Sequence, residues 1–267
     1  MDLSPLKPRL RGGIGIQIII FGEDLTADLA SVVSSVRSAG YDYIEASLNI
    51  RRIPPAAVLS ALAAEGVPIR AVHVGFVDVA TLRDLNEMLS FVTDIEASAL
   101  ICSGVLNRSR FGIEESARHF NAVGGVCADK GLNFYYHTHE WEFERDGVSR
   151  VRVVDLLLSR TEPELVRFNI DLFWAGVAHM DPVEVIKQLG ERCDYYHVKD
   201  GMFGSGREDC TFSCLGDGEV KVAECLQQIL AAERAVGIVV EQDRPAAGSS
   251  ANADIVKSRQ YLRNLGL

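Results

Sequence analysis

The chain has 267 residues, 48% of them hydrophobic and 24% charged, which suits one large domain with a sizeable core. Its net charge of −10 repels phosphate backbones and anionic bilayers, so no nucleic-acid or membrane partner is expected. The sequence shows no apolar leader and no transmembrane-length window, and its six scattered cysteines read as reduced thiols; a cytoplasmic protein is expected.

Strand-like and helix-like stretches alternate along the chain. The isoleucine-rich run "GIGIQIIIF" at 13–21 reads as a strand. Residues 24–39 follow as a helix, with Leu25, Leu29, Val32, Val33 and Val36 on one face. "YDYIEAS" at 41–47 is the second strand, and Pro54 and Pro55 open a helix that Gly66 closes. "PIRAVHVGF" and "ALICSGV" are the third and fourth strands, followed by helices over 81–93 and 114–130. "LNFYYHTHE" is the fifth, with a helix over 151–160, and "VRFNIDLFW" is the sixth, with a helix from near Pro182. "CDYYHVKD" and "GIVVEQD" complete the set, with helices over 220–233 and 252–264.

Eight such units with little polar alternation in the strands imply a parallel sheet buried on both faces. The simplest architecture is a closed (β/α)8 TIM barrel, one domain over 1–267. An open doubly wound sheet would carry a glycine-rich turn after the first strand, and "FGEDLTADL" has none. The longest irregular stretch, 201–218, follows the seventh strand and is expected to form part of a substrate pocket or lid.

Barrel active sites lie at the C-terminal ends of the strands. There the chain places Glu45, His73, a group at His137, His139, Glu140 and Glu142, then Asp171, His197, Lys199, Asp200, Glu241 and Asp243. One acidic residue at a strand end is accounted for by capping the next helix. Asp171, His197 and Glu241 on three successive apolar strands instead suit a divalent cation such as Mn²⁺, Mg²⁺, Co²⁺ or Zn²⁺. Cys210 and Cys214, the close cysteine pair, lack the further ligands of a zinc clip.

The segments "YHTHEWEF", "NIDLFW", "HVKD", "LGDGEV" and "VVEQD", in this order and spacing, resemble the xylose isomerase-like TIM-barrel superfamily. This is the sugar phosphate isomerase/epimerase group, related to inosose dehydratases and sharing its fold with endonuclease IV. The resemblance covers essentially the whole chain. It implies one divalent metal, Mn²⁺ foremost, held by Asp171, His197 and Glu241 plus a ligand from the fifth strand. Where epimerases of the group carry a metal-binding glutamate, this chain has His137. Glu142 is the expected substitute, with His137 or His139 as the rival ligand.

The implied activity is metal-dependent isomerisation or epimerisation of a sugar or keto-sugar, by proton removal next to a carbonyl. The alternative is a dehydratase or lyase on the same site, acting on an inosose or keto-sugar. His139 is the expected base, Lys199 an oxyanion stabiliser or proton donor, and Glu142 and Glu241 contribute beside them. Glu45, His73, His137, Trp174 and Arg207 are the expected substrate contacts, and Arg244 is a further candidate anion contact. Plainer roles compete: His73 as a core histidine, Lys199 as the partner of Asp200, Trp174 as barrel packing. A small-molecule sugar, keto-sugar or cyclitol is the expected partner, and a homo-oligomer is compatible with the sequence. An endonuclease IV-like nuclease and a non-catalytic sugar-binding barrel rank lower, the first because of the acidic charge.

Overall fold

Eight short parallel strands close on themselves in the computed structural model, which describes residues 1–22, 28–145 and 150–267. The barrel strands are β1 (Ile14–Gln17), β2 (Tyr43–Ser47), β3 (Ile69–Gly75), β4 (Ala99–Ser103), β5 (Asn133–His137), β6 (Arg167–Asp171) and β7 (Cys193–Val198). A hairpin follows, β8 (Asp200–Met202) and β9 (Thr211–Ser213), and β10 (Gly237–Val240) closes the ring between β7 and β1. Helices α1 (Leu29–Ala39), α2 (Pro55–Glu65), α3 (Leu82–Asp94), α4 (Arg110–Asp129) and α5 (Val153–Arg160) surround the first half. The short α6 (Leu172–Val177), α7 (Pro182–Leu189), α8 (Val222–Ala231) and α9 (Ala251–Asn264) surround the second. None of the described helices is long and apolar enough to cross a membrane.

The expected barrel is therefore present, with local differences that have simple causes. The first strand stops at Gln17, whose side-chain oxygen accepts the Ile19 N–H and turns the chain into a 3-10 helix over Ile18–Phe21. The sixth strand stops at Asp171 rather than Trp174. The Asp171 carboxylate accepts the backbone N–H groups of Phe173 and Trp174 at 2.9 and 3.1 Å and so caps α6. Helix α4 begins four residues earlier than expected, because Ser109 caps it through the Gly112 N–H. Residues 24–27, including Leu25 of the expected first helix, lie outside the described residues.

The irregular stretch after the seventh strand is built around one buried carboxylate. Asp200 accepts four backbone N–H groups, from Gly201, Gly216, Gly218 and Val220, at 2.8–3.1 Å. Gly218 is required there: a Cβ would meet the Asp200 carboxylate at 2.2 Å. Asp200 thus fixes the base of the β8–β9 hairpin and is not the partner of Lys199.

The core has two parts. A large apolar shell fills the space between sheet and helices. A smaller interior cluster of Tyr43, Ala71, Ala99, Ile101, Tyr135, Tyr195 and Val239 fills the barrel itself. Strand side chains alternate with period two. Residues two further along the same strands, Glu45, His73, His137, His197 and Glu241, therefore share that inward face one layer above the cluster. Parallel register sets Asp171 beside His197 and His137 beside Asn169.

Candidate metal and active site

Among the described residues, one group has the donor set of a metal site: His137, Asp171, His197 and Glu241, from β5, β6, β7 and the end of β10. All four are buried, and one ligand atom from each lies within 4.8 Å of the others. Asp171 Oδ2, His197 Nδ1 and Glu241 Oε2 are buried without a hydrogen-bond partner. Buried polar atoms without hydrogen bonds are costly, and these three, together with the His137 imidazole, make a set of two carboxylates and two imidazoles that fits a hard or borderline divalent cation.

The surrounding shell sets which nitrogen of each histidine faces the centre. His137 Nδ1 lies 2.6 Å from Asn169 Oδ1, which can only accept a proton, so Nε2 carries the free lone pair. His197 Nε2 lies 2.9 Å from Glu45 Oε2, which leaves Nδ1 for the centre beside Glu241 Oε2. Glu45 Oε1 in turn accepts Gln17 Nε2 at 3.0 Å and faces His73 Nδ1 at 3.5 Å. Burial alone would raise the Glu45 carboxyl, but His197 and His73 outweigh it and hold the group at about 2. His197 is likewise disfavoured as a cation by burial, yet Glu45 and Glu241 lift it to about 10, so a divalent cation binding at Nδ1 would displace a proton. Glu45, expected to touch substrate, lies buried against His197 and His73, the carboxylate–histidine arrangement common around metals.

Glu142 lies apart from the four. Its Oε1 accepts the Tyr136 hydroxyl at 2.7 Å and its Oε2 accepts the His139 backbone N–H at 2.9 Å. Full burial pushes its carboxyl up to about 8 against these hydrogen bonds. His139 is half-buried, its ring 4.7 Å from that of His137 and 5.9 Å from Trp174. Burial, with Lys199 and Arg207 nearby, keeps its imidazole neutral, down at about 3. His73 joins the same row of imidazoles, 4.7 Å from His137.

Lys199 is 1% exposed. Its Nζ is 2.7 Å from Asp243 Oδ1, 3.2 Å from Asp171 Oδ2 and 3.3 Å from Glu241 Oε1. Burial opposes the ammonium, and the three carboxylates overcome it and keep the charge in place. Trp174 is buried, with the Arg207 guanidinium stacked over it at 4.5 Å. Arg207 also pairs with Glu140 at 2.8 Å, tying the hairpin segment to the loop after β5.

Residues 33–265 match the xylose isomerase-like TIM barrel family. The chain belongs to that family. An inosose dehydratase from Clostridium botulinum (strain Alaska E43) is 29% identical over 163 residues, covering 55% of this chain and 52% of that protein. The chain thus spans about half the length of the curated relatives it matches. A sugar phosphate isomerase/epimerase structure from Parabacteroides distasonis superposes with a TM-score of 0.81 at 20% identity, covering 94% and 98% of the two chains. A D-allulose 3-epimerase from Methylomonas sp., solved with D-allulose, gives 0.76 at 16% identity, covering 97% and 98%. These two structures show the shared barrel.

Two contributors escaped the reading of the sequence: Asn169 and Gln17. Both had a signal. Asn169 sits two residues before Asp171 and so shares its face, and Gln17 is a polar residue inside an isoleucine run.

Proposed function

We propose that this barrel is a divalent-metal-dependent enzyme that removes the proton next to the carbonyl of a keto-sugar or cyclitol ketone and expels a neighbouring hydroxyl as water. The observation that carries this reading is the convergence of Asp171 Oδ2, His197 Nδ1 and Glu241 Oε2, three buried atoms without a hydrogen bond, with the His137 imidazole in one buried group. A cation bound there would polarise the substrate carbonyl and an adjacent hydroxyl as a Lewis acid.

The chain supplies the remaining parts. His139, half-buried beside Trp174 and not occupied in orienting a ligand, takes the proton from carbon as the C–H bond breaks. The same imidazolium returns the proton to the departing oxygen as the C–O bond breaks, so water leaves and the base is restored. Lys199, held as an ammonium among Asp171, Glu241 and Asp243, balances negative charge developing on the carbonyl oxygen. Trp174, whose ring lies 5.9 Å from that of His139, would form an apolar wall against the substrate carbon skeleton.

Dehydration is placed ahead of epimerisation because of Glu142. Epimerisation through two carboxylates needs one on each face of the substrate, and both Glu142 oxygens are engaged by Tyr136 and His139. The inosose dehydratase relatives favour the same order. Aldose–ketose isomerisation is the second reading, favoured by the same single imidazole, which can return its proton to the neighbouring carbon. Incubation of metal-loaded protein with inososes and ketoses in D₂O separates them. Ultraviolet-absorbing enone with loss of water supports the dehydratase, and deuterium at the neighbouring carbon of an aldose product supports the isomerase. Neither product from any ketone, with metal bound, would count against both.

A further inference from the structure

Beside the metal-ligand group lies a pocket whose two arginines, Arg207 and Arg244, the chemistry above does not use. It measures about 250 Å³ and is lined by Trp174, Arg207, Glu208, Phe212, Asp243 and Arg244. Its wall is two aromatic rings in edge contact, Trp174 and Phe212, with centroids 6.1 Å apart and planes at 83°. Each ring carries a guanidinium: Arg207 over Trp174 at 4.5 Å, and Arg244 over Phe212 at 5.0 Å. Lys199 Nζ approaches both rings from the metal side, at 5.2 and 5.4 Å.

Three cations around one two-ring wall repel one another unless anions offset them. Asp243 lies against Lys199 and Glu140 against Arg207, at 2.7 and 2.8 Å. Arg244 has no carboxylate within ion-pair distance among the described residues. The Phe212 ring lies under its guanidinium at 5.0 Å, and a guanidinium offers N–H donors suited to a planar or tetrahedral anion. Glu208, on the same pocket, is exposed and opposes that binding.

Building on the metal-dependent reading of the adjacent group, we propose that this pocket receives an anionic end, carboxylate or phosphate, of the substrate whose ketone faces the metal ligands, with Arg244 and Arg207 as its specificity-determining contacts. The charged end and the ketone would then lie on opposite sides of Lys199.

The test titrates manganese-loaded wild type and the variants Arg244→Gln, Arg207→Gln and Glu208→Gln with D-fructose 6-phosphate, 5-keto-D-gluconate and D-fructose. Calorimetry reads binding, and bound manganese is measured in the same samples. The expected result is a charged ketose binding at least about tenfold tighter than D-fructose, the size of one charge-assisted contact. That advantage shrinks in Arg244→Gln and Arg207→Gln, grows in Glu208→Gln, and weakens with added salt. An advantage confined to the phosphate ester, or to the keto acid, identifies which anion the pocket takes. Equal affinity for charged and neutral ketoses, or an advantage that survives in both arginine variants, overturns the proposal, as does no binding of either charged ketose to manganese-loaded protein. Wild type that fails to hold manganese counts against the metal reading instead, and the comparison of charged with neutral ketoses still judges the pocket.

Discussion

Replacing His137 by Gln and Glu142 by Gln distinguishes the two ways strand β5 can serve the site. His137 provides one of four ligand atoms that lie within 4.8 Å of one another. Partners that only orient a ligand typically change metal affinity 10- to 100-fold, so loss of a direct ligand should cost at least about 100-fold, or about 2.7 kcal/mol of binding. Glu142 holds no atom in the group. Its two oxygens accept from Tyr136 and from the His139 backbone, and a carboxamide can satisfy only one of these acceptances. Glu142→Gln should therefore lower folding stability by about 1–3 kcal/mol, one hydrogen bond to a buried polar group, and leave metal affinity within a few-fold of wild type. Competition with a chromogenic chelator measures the affinities, and urea unfolding measures the stabilities. Metal lost from Glu142→Gln but retained by His137→Gln would refute the assignment and make Glu142 the fifth-strand ligand.

Three further outcomes are expected. Glu45→Gln should weaken metal binding about 10- to 100-fold while the protein stays folded, because the His197 tautomer loses its carboxylate partner; unchanged affinity would remove Glu45 from that role. Burial lifts the Glu142 carboxyl from the usual 4.5 to about 8, so stability from its protonated form is complete below about pH 4.5 and is lost as the pH rises through about 8. Unfolding of wild type against Glu142→Gln across that window should show wild type losing ground by up to a few kcal/mol, at about 1.4 kcal/mol per pH unit, and a pH-independent difference would contradict it. All six cysteines are free and buried, and burial pushes the thiols of Cys127, Cys193 and Cys225 up to about 12. The native protein should therefore be nearly silent to a disulfide thiol reagent at pH 8 and show six thiols once unfolded; rapid labelling of the native chain would contradict this.

The alternation of apolar runs with amphipathic stretches sufficed to read the barrel, because each strand is buried on both faces and each helix on one. The errors fell where a side chain, not hydrophobicity, ends an element. Asp171 sits in "NIDLFW", an apolar run that reads as continuous strand, yet its carboxylate starts a helix there. The positions of Asp171, His197 and Glu241 at strand ends were legible by counting residues. What was not legible is which oxygen or nitrogen faces the centre. That depends on register between neighbouring strands, which sets Asn169 beside His137, and on the loop after β5, which turns Glu142 back under Tyr136. The pairing of Arg244 with Phe212 joins the β8–β9 hairpin to the end of β10, and no local pattern announces it.

The most direct test of the metal site is elemental analysis of wild type beside the Asp171→Asn, Glu241→Gln double variant after loading with Mn²⁺, Co²⁺ or Zn²⁺ and removal of free ion. The account predicts about one divalent ion per wild-type chain and loss of that ion in the folded double variant. Wild type that retains none of the three ions, or a double variant that retains a full equivalent, would contradict it.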